Sequence, residues 1–258
     1  MNTDIEKIVT QLKNMGICEG DALMVHSSYR SLGGVDGGID TVISGLKLAV
    51  GESGTIMMPT FTYEYVNASN PIFDIKNTPS CTGMIPEIFR HGEGVVRSLH
   101  PTHSLAVWGN DKDYYVGDHW LDKNCLDKNS PIYKLMMRGG KILLIGCPTE
   151  KLTLLHGLEI AKGAPYAFKV DYSDPKYHRE YTCIDENGKR YCSEFYHVFS
   201  KGVGYAHDFN KLSGIVELNK QKLFCAECYL FNAKKLWDSV SAAMDKDPYC
   251  LATKIDII

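Results

Sequence analysis

A layered α/β fold is what this 258-residue sequence predicts. Three observations carry the expectation. Apolar runs of strand length alternate with helical periodicity across the first 165 residues, turn-forming residues separate the two, and from Tyr166 onward the pattern changes to short polar-apolar alternation.

Thr3 followed by Glu6 forms a capping box, and Ile5, Ile8, Val9 and Leu12 recur at helical spacing until Gly16, so the chain opens with a helix. Ala22 to His26 reads as a short buried strand that delivers the serine- and glycine-rich loop from Ser27 to Gly38. A helix follows from about Ile39, with Val42, Ile43 and Leu46 on one face, and stops at Gly51. Thr55 to Met58 is a second strand, ending at Pro59-Thr60-Phe61-Thr62. Its sequel to Pro79 carries too many turn residues for regular structure and is expected to run over the surface or line a site. Then come a helix near Gly83 to Phe89, a strand at Leu105 to Trp108, a helix after Asn129-Ser130-Pro131 and a strand at Lys141 to Gly146. In the C-terminal third, Asn187-Gly188 between Arg179–Ile184 and Lys189–Cys192 signals an antiparallel hairpin. Leu223 to Phe231 reads as one buried strand, and Ala233 to Met244 as a closing helix. A single domain over 1–258 is expected, with 165–205 as its hairpin-rich part.

Composition narrows the function classes. The chain is 44% apolar and 23% charged with a net charge of −3, and its lysines and arginines are scattered, which leaves no electrostatic footprint for nucleic acid. No run of 18 apolar residues and no basic-then-apolar N-terminus occurs, so neither a membrane span nor a signal peptide is indicated and a cytoplasmic chain is expected. Nine cysteines, an odd number scattered along the chain, fit free thiols better than a disulfide framework. The one CxxC, Cys225 to Cys228, lacks a second ligand pair and lies in an apolar run, which favours inert thiols over zinc.

Three clusters could carry chemistry. The loop from His26 to Gly38 follows a strand and precedes a helix, a setting in which glycine lets backbone N–H groups approach an anion; it is equally readable as a generous turn, and no P-loop or G-x-G-x-x-G occurs. Ser98 to Ser104 holds His100 and His103 beside Pro101, readable either as a ligand-bordering segment or as a turn in which a backbone carbonyl satisfies His100. In Thr153 to Glu159, a helix starting near Thr153 puts His156 and Glu159 three apart on one face. No HExxH or other metal-ligand spacing and no G-x-S-x-G elbow accompanies them, so neither metal chemistry nor a serine nucleophile is expected.

Taken in order, His26-Ser27-Ser28-Tyr29-Arg30-Ser31-Leu32-Gly33, Met58-Pro59-Thr60-Phe61, Arg97 to Ser104, Ala106-Val107-Trp108-Gly109, Asn129-Ser130-Pro131, Leu143 to Gly146 and Thr153-Leu154-Leu155-His156 resemble the aminoglycoside 3-N-acetyltransferase family. The resemblance covers about residues 20 to 165, with a weaker echo at Glu227 to Ala233. It implies a central sheet flanked by helices, with acetyl-CoA as donor to a small-molecule amine acceptor; together with the alternations after Tyr166 this gives a three-layer α-β-α fold with a central mixed sheet and antiparallel β elements in the C-terminal third. A single chain or a homodimer would do this without a metal, a nucleic acid or a membrane.

It further implies His156 as general base, assisted by Asp208 from the C-terminal third or by Glu159 nearby. Thr60 would lie along the pantetheine and phosphates, where its hydroxyl, or backbone N–H groups of a loop, would donate to the oxyanion. His26, Ser27, Ser28, Ser31, Leu32, Gly33, Gly34 and Val35, with His100 and Ser104, would line the coenzyme A site. The chemistry agrees, because a protonated amine cannot attack a thioester until a base such as histidine takes its proton. The acceptor is expected to be the 3-amino group of an aminoglycoside. The runners-up are acylation of another amino sugar, including a nucleotide-linked one, or of a small amine, and a non-catalytic CoA-binding protein.

Overall fold

In the computed structural model, the residues described are 3–166, 168, 169, 173, 175, 178–196, 199, 200 and 205–255. The parts of the expected hairpin region at 167, 170–172, 174, 176–177, 197–198 and 201–204 lie outside them. In chain order the elements are α1 (Thr3–Asn14), β1 (Ala22–Ser27), α2 (Gly38–Val50), β2 (Thr55–Pro59), β3 (Ile72–Asp74), α3 (Met84–Phe89), β4 (Val96–Arg97), β5 (Leu105–Gly109), α4 (Lys112–Val116), α5 (Pro131–Met137) and β6 (Lys141–Ile145). They continue with α6 (Thr153–Lys162), β7 (Phe168–Lys169), β8 (His178–Ile184), β9 (Arg190–Tyr196), β10 (Phe199–Ser200), β11 (Tyr205–His207), β12 (Lys220–Leu223), β13 (Ala226–Asn232), α7 (Ala233–Lys246) and β14 (Ala252–Lys254).

The central sheet is mixed, as expected, in the order β12-β13-β6-β1-β2-β5-β4. β1 pairs in parallel with β2 and with β6, Met24 lying between Met57 and Ile142, while β13 and β5 flank this trio antiparallel. Strand side chains alternate between faces. On one side Leu23, Val25, Ile56, Met58, Leu143 and Ile145 pack on α1 and α2 through Ile8, Leu12, Val42 and Leu46. On the other, Met24, Met57, Ile142 and Leu144 meet Leu135 of α5, Leu155 and Leu158 of α6 and Val240 of α7. This is the α-β-α sandwich. Because both faces are covered, the strands read as near-continuous apolar runs rather than alternations.

The Asn187-Gly188 turn joins β8 to β9, which form a small sheet with β3 over Phe73, Tyr181, Cys183 and Phe195. The apolar run from Leu223 to Phe231 departs from expectation. It is not one strand but a hairpin, because the chain reverses at Phe224 and Cys225, with Phe224 at φ 51, between the antiparallel strands β12 and β13. Cys228 is buried and Cys225 exposed, and all nine cysteines are free. Among the described residues no helix is long and apolar enough to cross a membrane.

Buried polar groups pin the loops to the sheet. The Arg97 guanidinium is buried, donates to the carbonyls of Thr60, Ile75 and Thr78 and lies over the Phe73 ring, which ties the two irregular segments after β2 and β3 together. Asp122 is also buried, accepting from the backbone and side chain of Asn129 through Oδ1. Burial pushes its carboxyl up to about 7.

A carboxyl whose pKa is raised on folding favours the native state most at low pH, below its unfolded value of about 3.9, and loses that contribution as pH rises through the folded value. Asp122→Asn removes the titration. The melting temperature of the variant relative to the parent is therefore expected to climb from about pH 4 to about pH 8. A flat difference across that range in thermal melts would show that Asp122 does not titrate this way.

Candidate active site

Parallel strands end on one side of a sheet, and the side beyond their carboxyl ends is where α/β folds gather ligand-binding loops. Here the ends of β1, β2 and β6 open into a cleft of about 1270 Å³. His26 to Arg30 come to it from the end of β1, Pro59 and Phe61 from β2, and Gly146 to Pro148 from β6. Gly146 has φ 61, and a Cβ on it would sit 2.2 Å from Ser31 Cβ, so only glycine lets the end of β6 approach the β1 loop this closely. The Ser31 hydroxyl completes the contact, 2.9 Å from Ser28 Oγ and 3.1 Å from the Gly146 carbonyl.

Opposite this wall stands the first turn of α6. Thr153 and His156 line the cleft, while Leu154, Leu155 and Leu158 face the core, the helical spacing that sends one stripe inward. His156 Nδ1 lies 3.1 Å from Glu159 Oε2; the histidine is about one-fifth exposed and the carboxylate fully buried. Behind the carboxylate is Tyr166, whose hydroxyl is pushed up by its own burial and then by the Glu159 charge. His207, at the end of β11, sets its ring edge-on to His156 with centroids 4.9 Å apart, and packs on Phe209. Burial first and His156 second hold the His207 imidazole below the usual histidine range.

A third wall is aromatic: Phe61 lies 4.7 Å from His103 and 6.3 Å from Tyr63. The charged side chains among the described lining residues are Arg30, Glu150 and Lys151. His26 is buried, its imidazole lowered to about 4 by burial and then by Lys151, so it is neutral at physiological pH. Neither its Nε2 nor the Ser27 hydroxyl finds a hydrogen-bond partner among the described residues, although both residues line the cleft. Such atoms ask for a ligand or water to satisfy them.

Several expected site residues stand elsewhere. Asp208 keeps its carboxylate on the backbone N–H of Asn210 and the Thr253 hydroxyl, and Glu159 is the carboxylate at His156. Neighbouring residues of an extended segment point to opposite sides, so of the pair it is His207, not Asp208, that meets His156. Thr60 is fully buried and its hydroxyl donates to the Ser104 carbonyl. Ser104 returns a bond to the Thr60 carbonyl, so both side chains belong to the Arg97 network rather than to the cleft wall.

His100 is likewise internal. Its Nδ1 accepts from the Thr102 and His103 N–H groups and its Nε2 faces the Asn124 carbonyl, with burial lowering it to about 3. It shapes the turn that presents Thr102 and His103 to the cleft. In the β1 loop, Leu32 and Val35 join the core, Gly33 packs on Cys225 and Gly34 is exposed. His26, Ser27 and Ser28 therefore reach the cleft, and Ser31 braces it.

Sequence reasoning singled out the segment of His103 but missed His207, Lys151 and the packing of Phe61 and Tyr63 with His103 into one aromatic wall. Lys151 had one usable signal, its place just before a helix that begins at a strand's carboxyl end. His207 and the aromatic wall are set by tertiary packing.

A model of the aminoglycoside 3-N-acetyltransferase family matches residues 24–245. Aminoglycoside N(3)-acetyltransferase VII of Streptomyces paromomycinus is 34% identical over 187 residues, which span 66% of this chain and 64% of that protein, just under two thirds of its length. Aminoglycoside N(3)-acetyltransferase VIII of Streptomyces fradiae is 33% identical over 218 residues, 77% of this chain and 73% of its own. The solved structure of AAC-IIIb in its binary complex with CoASH superposes with a TM-score of 0.77 at 24% identity, covering 94% of this chain and 96% of that one, a likeness of fold. The chain thus belongs to the aminoglycoside 3-N-acetyltransferase family.

Proposed function

We propose that this protein transfers the acetyl group of acetyl-CoA to the 3-amino group of an aminoglycoside by direct attack of the amine on the thioester, with His156 as general base. The observation that carries the reading is the His156–Glu159 pair, an imidazole at the wall of a large cleft oriented by a carboxylate that no solvent reaches. With Nδ1 engaged by Glu159, Nε2 is the nitrogen suited to take the proton from the attacking amine, and the carboxylate stabilises the imidazolium that results. The C–N bond forms as the acyl carbon becomes tetrahedral and His156 takes the amine proton; the C–S bond then breaks and CoA leaves as the thiol, its sulfur taking that proton from the imidazolium. Names of relatives, and the CoASH bound in the AAC-IIIb structure, support the donor and acceptor classes. CoA-binding in a single domain over 1–258 is part of the same proposal.

The donor is read into the β1 side of the cleft. Arg30 and Lys151 are cations placed to meet phosphates, and Ser27 supplies a hydroxyl aimed at the pantetheine amides or the thioester oxygen. Ser27→Ala is expected to raise the KM for acetyl-CoA roughly tenfold, the worth of one hydrogen bond in a shielded site. Steady-state kinetics with acetyl-CoA varied decides this, and an unchanged KM would remove Ser27 from the donor site.

A second acceptor class has an observation in its favour. Glu150 is the one acid among the described residues lining the cleft, and a polycation is better served by several. An amino sugar with fewer positive charges, including a nucleotide-linked one, is thus the alternative. Thiol release from acetyl-CoA, measured with aminoglycosides beside simple and nucleotide-linked amino sugars, separates the two. Release with aminoglycosides carrying a free 3-amino group supports the first; release only with the other amines transfers the same chemistry to the second. Silence with CoA still bound favours a binding protein.

A further inference from the structure

The geometry points to a divalent transition-metal site formed by His156, Glu159 and His207, at which an ion such as Zn²⁺ blocks the transferase by occupying its base. Each of the three offers one ligand atom, and the three atoms lie within 4.8 Å of one another. They come from different elements, His156 and Glu159 from one face of α6 and His207 from β11, so their convergence is a property of the folded chain rather than of local sequence. The His156 and His207 rings stand 64° apart with centroids at 4.9 Å, close enough for small side-chain rotations to bring a nitrogen of each onto one ion.

Charge favours the site independently of this spacing. Glu159 is fully buried, its Oε1 has no hydrogen-bond partner among the described residues, and its ion-pair partner His156 is a cation only when protonated. A buried carboxylate without a permanent counter-charge is costly, and a divalent cation supplies that charge. Two imidazoles and one carboxylate suit Zn²⁺ or Co²⁺ over the oxygen-seeking Mg²⁺ and Ca²⁺, and three protein ligands leave a position open to water. Since His156 lines the cleft, an ion has a path to it from solvent. Once coordinated, the imidazole has no lone pair for a proton. The ion is an inhibitor, not a cofactor, and this half of the inference rests on the role proposed for His156.

The test titrates Co²⁺ into chelator-stripped protein and reads its visible d–d bands, then adds Zn²⁺ to displace it. In parallel, Zn²⁺ inhibition of turnover is followed by loss of thioester absorbance, because a released thiol would itself bind zinc. One equivalent of Co²⁺ is expected to give d–d bands without a thiolate charge-transfer band. The bands are expected to disappear in Glu159→Gln and in His207→Phe, which keeps the ring packing on Phe209 and removes the ligand; His207→Gln serves if the Phe variant melts early. Zn²⁺ inhibition in His207→Phe is expected to weaken roughly tenfold or more.

No bands in the parent protein, bands that persist in both His207 variants, or a thiolate band that assigns the ion to cysteines would each overturn the site. Bands in a protein that turns over no acceptor would support the site while the proposed reaction failed. Bands with Zn²⁺-insensitive turnover would overturn the blocking role.

Discussion

Replacing His156 with alanine is expected to lower kcat by about 100-fold or more while leaving the affinity for CoA close to that of the parent protein. At neutral pH an alkylammonium acceptor holds its proton, so the proton transfer that His156 performs is one the solvent performs poorly inside a cleft. Positioned general bases typically contribute on the order of 10²–10⁴-fold to rate. The donor should be little affected, because the groups assigned to it, Ser27, Arg30 and Lys151, belong to other segments of the wall. His156 is also partly exposed, so its truncation enlarges the cleft rather than opening a void in the core.

The two readouts separate mechanism from damage. A loss of kcat with intact CoA binding by calorimetry places His156 in the chemistry. Loss of both together would make it a residue of the fold, and near-normal turnover would remove it from the mechanism.

The fold and the site were legible to different degrees, for physical reasons. β1, β2 and β6 carry uninterrupted apolar runs because both faces of the sheet are covered, and α1 and α7 carry single apolar stripes because only one face is, so both kinds of element announce themselves. The β12–β13 hairpin did not, since its reversal falls on Phe224 and Cys225, two apolar residues with no turn chemistry.

In the site, His156 and Glu159 could be paired from their i,i+3 spacing alone. By contrast, Thr60, His100 and Ser104 sit in segments that border the cleft, yet their side chains turn inward to Arg97 or to backbone groups. A motif identifies such a segment without saying which way each side chain points. Asp208 illustrates the same limit, because a one-residue difference in an extended strand exchanges the face that meets the base.

Glu159→Gln is expected to lower kcat by roughly 100-fold or more and, unusually for a change at a fully buried position, to leave the melting temperature equal to or above that of the parent. Two opposing consequences follow from one carboxylate. Catalysis needs its charge: a carboxylate accepts from His156 Nδ1–H, fixes the tautomer and compensates the imidazolium formed when the amine gives up its proton. A neutral amide offers an NH₂ group as readily as an oxygen, admits the wrong tautomer and compensates nothing.

Stability is helped by losing that charge. Glu159 is shielded from water, its only ion-pair partner among the described residues is a histidine, and Oε1 has no hydrogen-bond partner there. The isosteric amide keeps the packing among Leu155, Leu158 and Tyr166 while removing the desolvation penalty of a buried anion. The nearby Tyr166 hydroxyl, whose ionisation the carboxylate opposes, gains an amide neighbour in its place. Paired measurement of kcat and thermal midpoint therefore distinguishes a functional carboxylate from a structural one. Activity lost with stability kept or raised assigns Glu159 to orienting the base, whereas a large fall in the midpoint would make it a strut of α6.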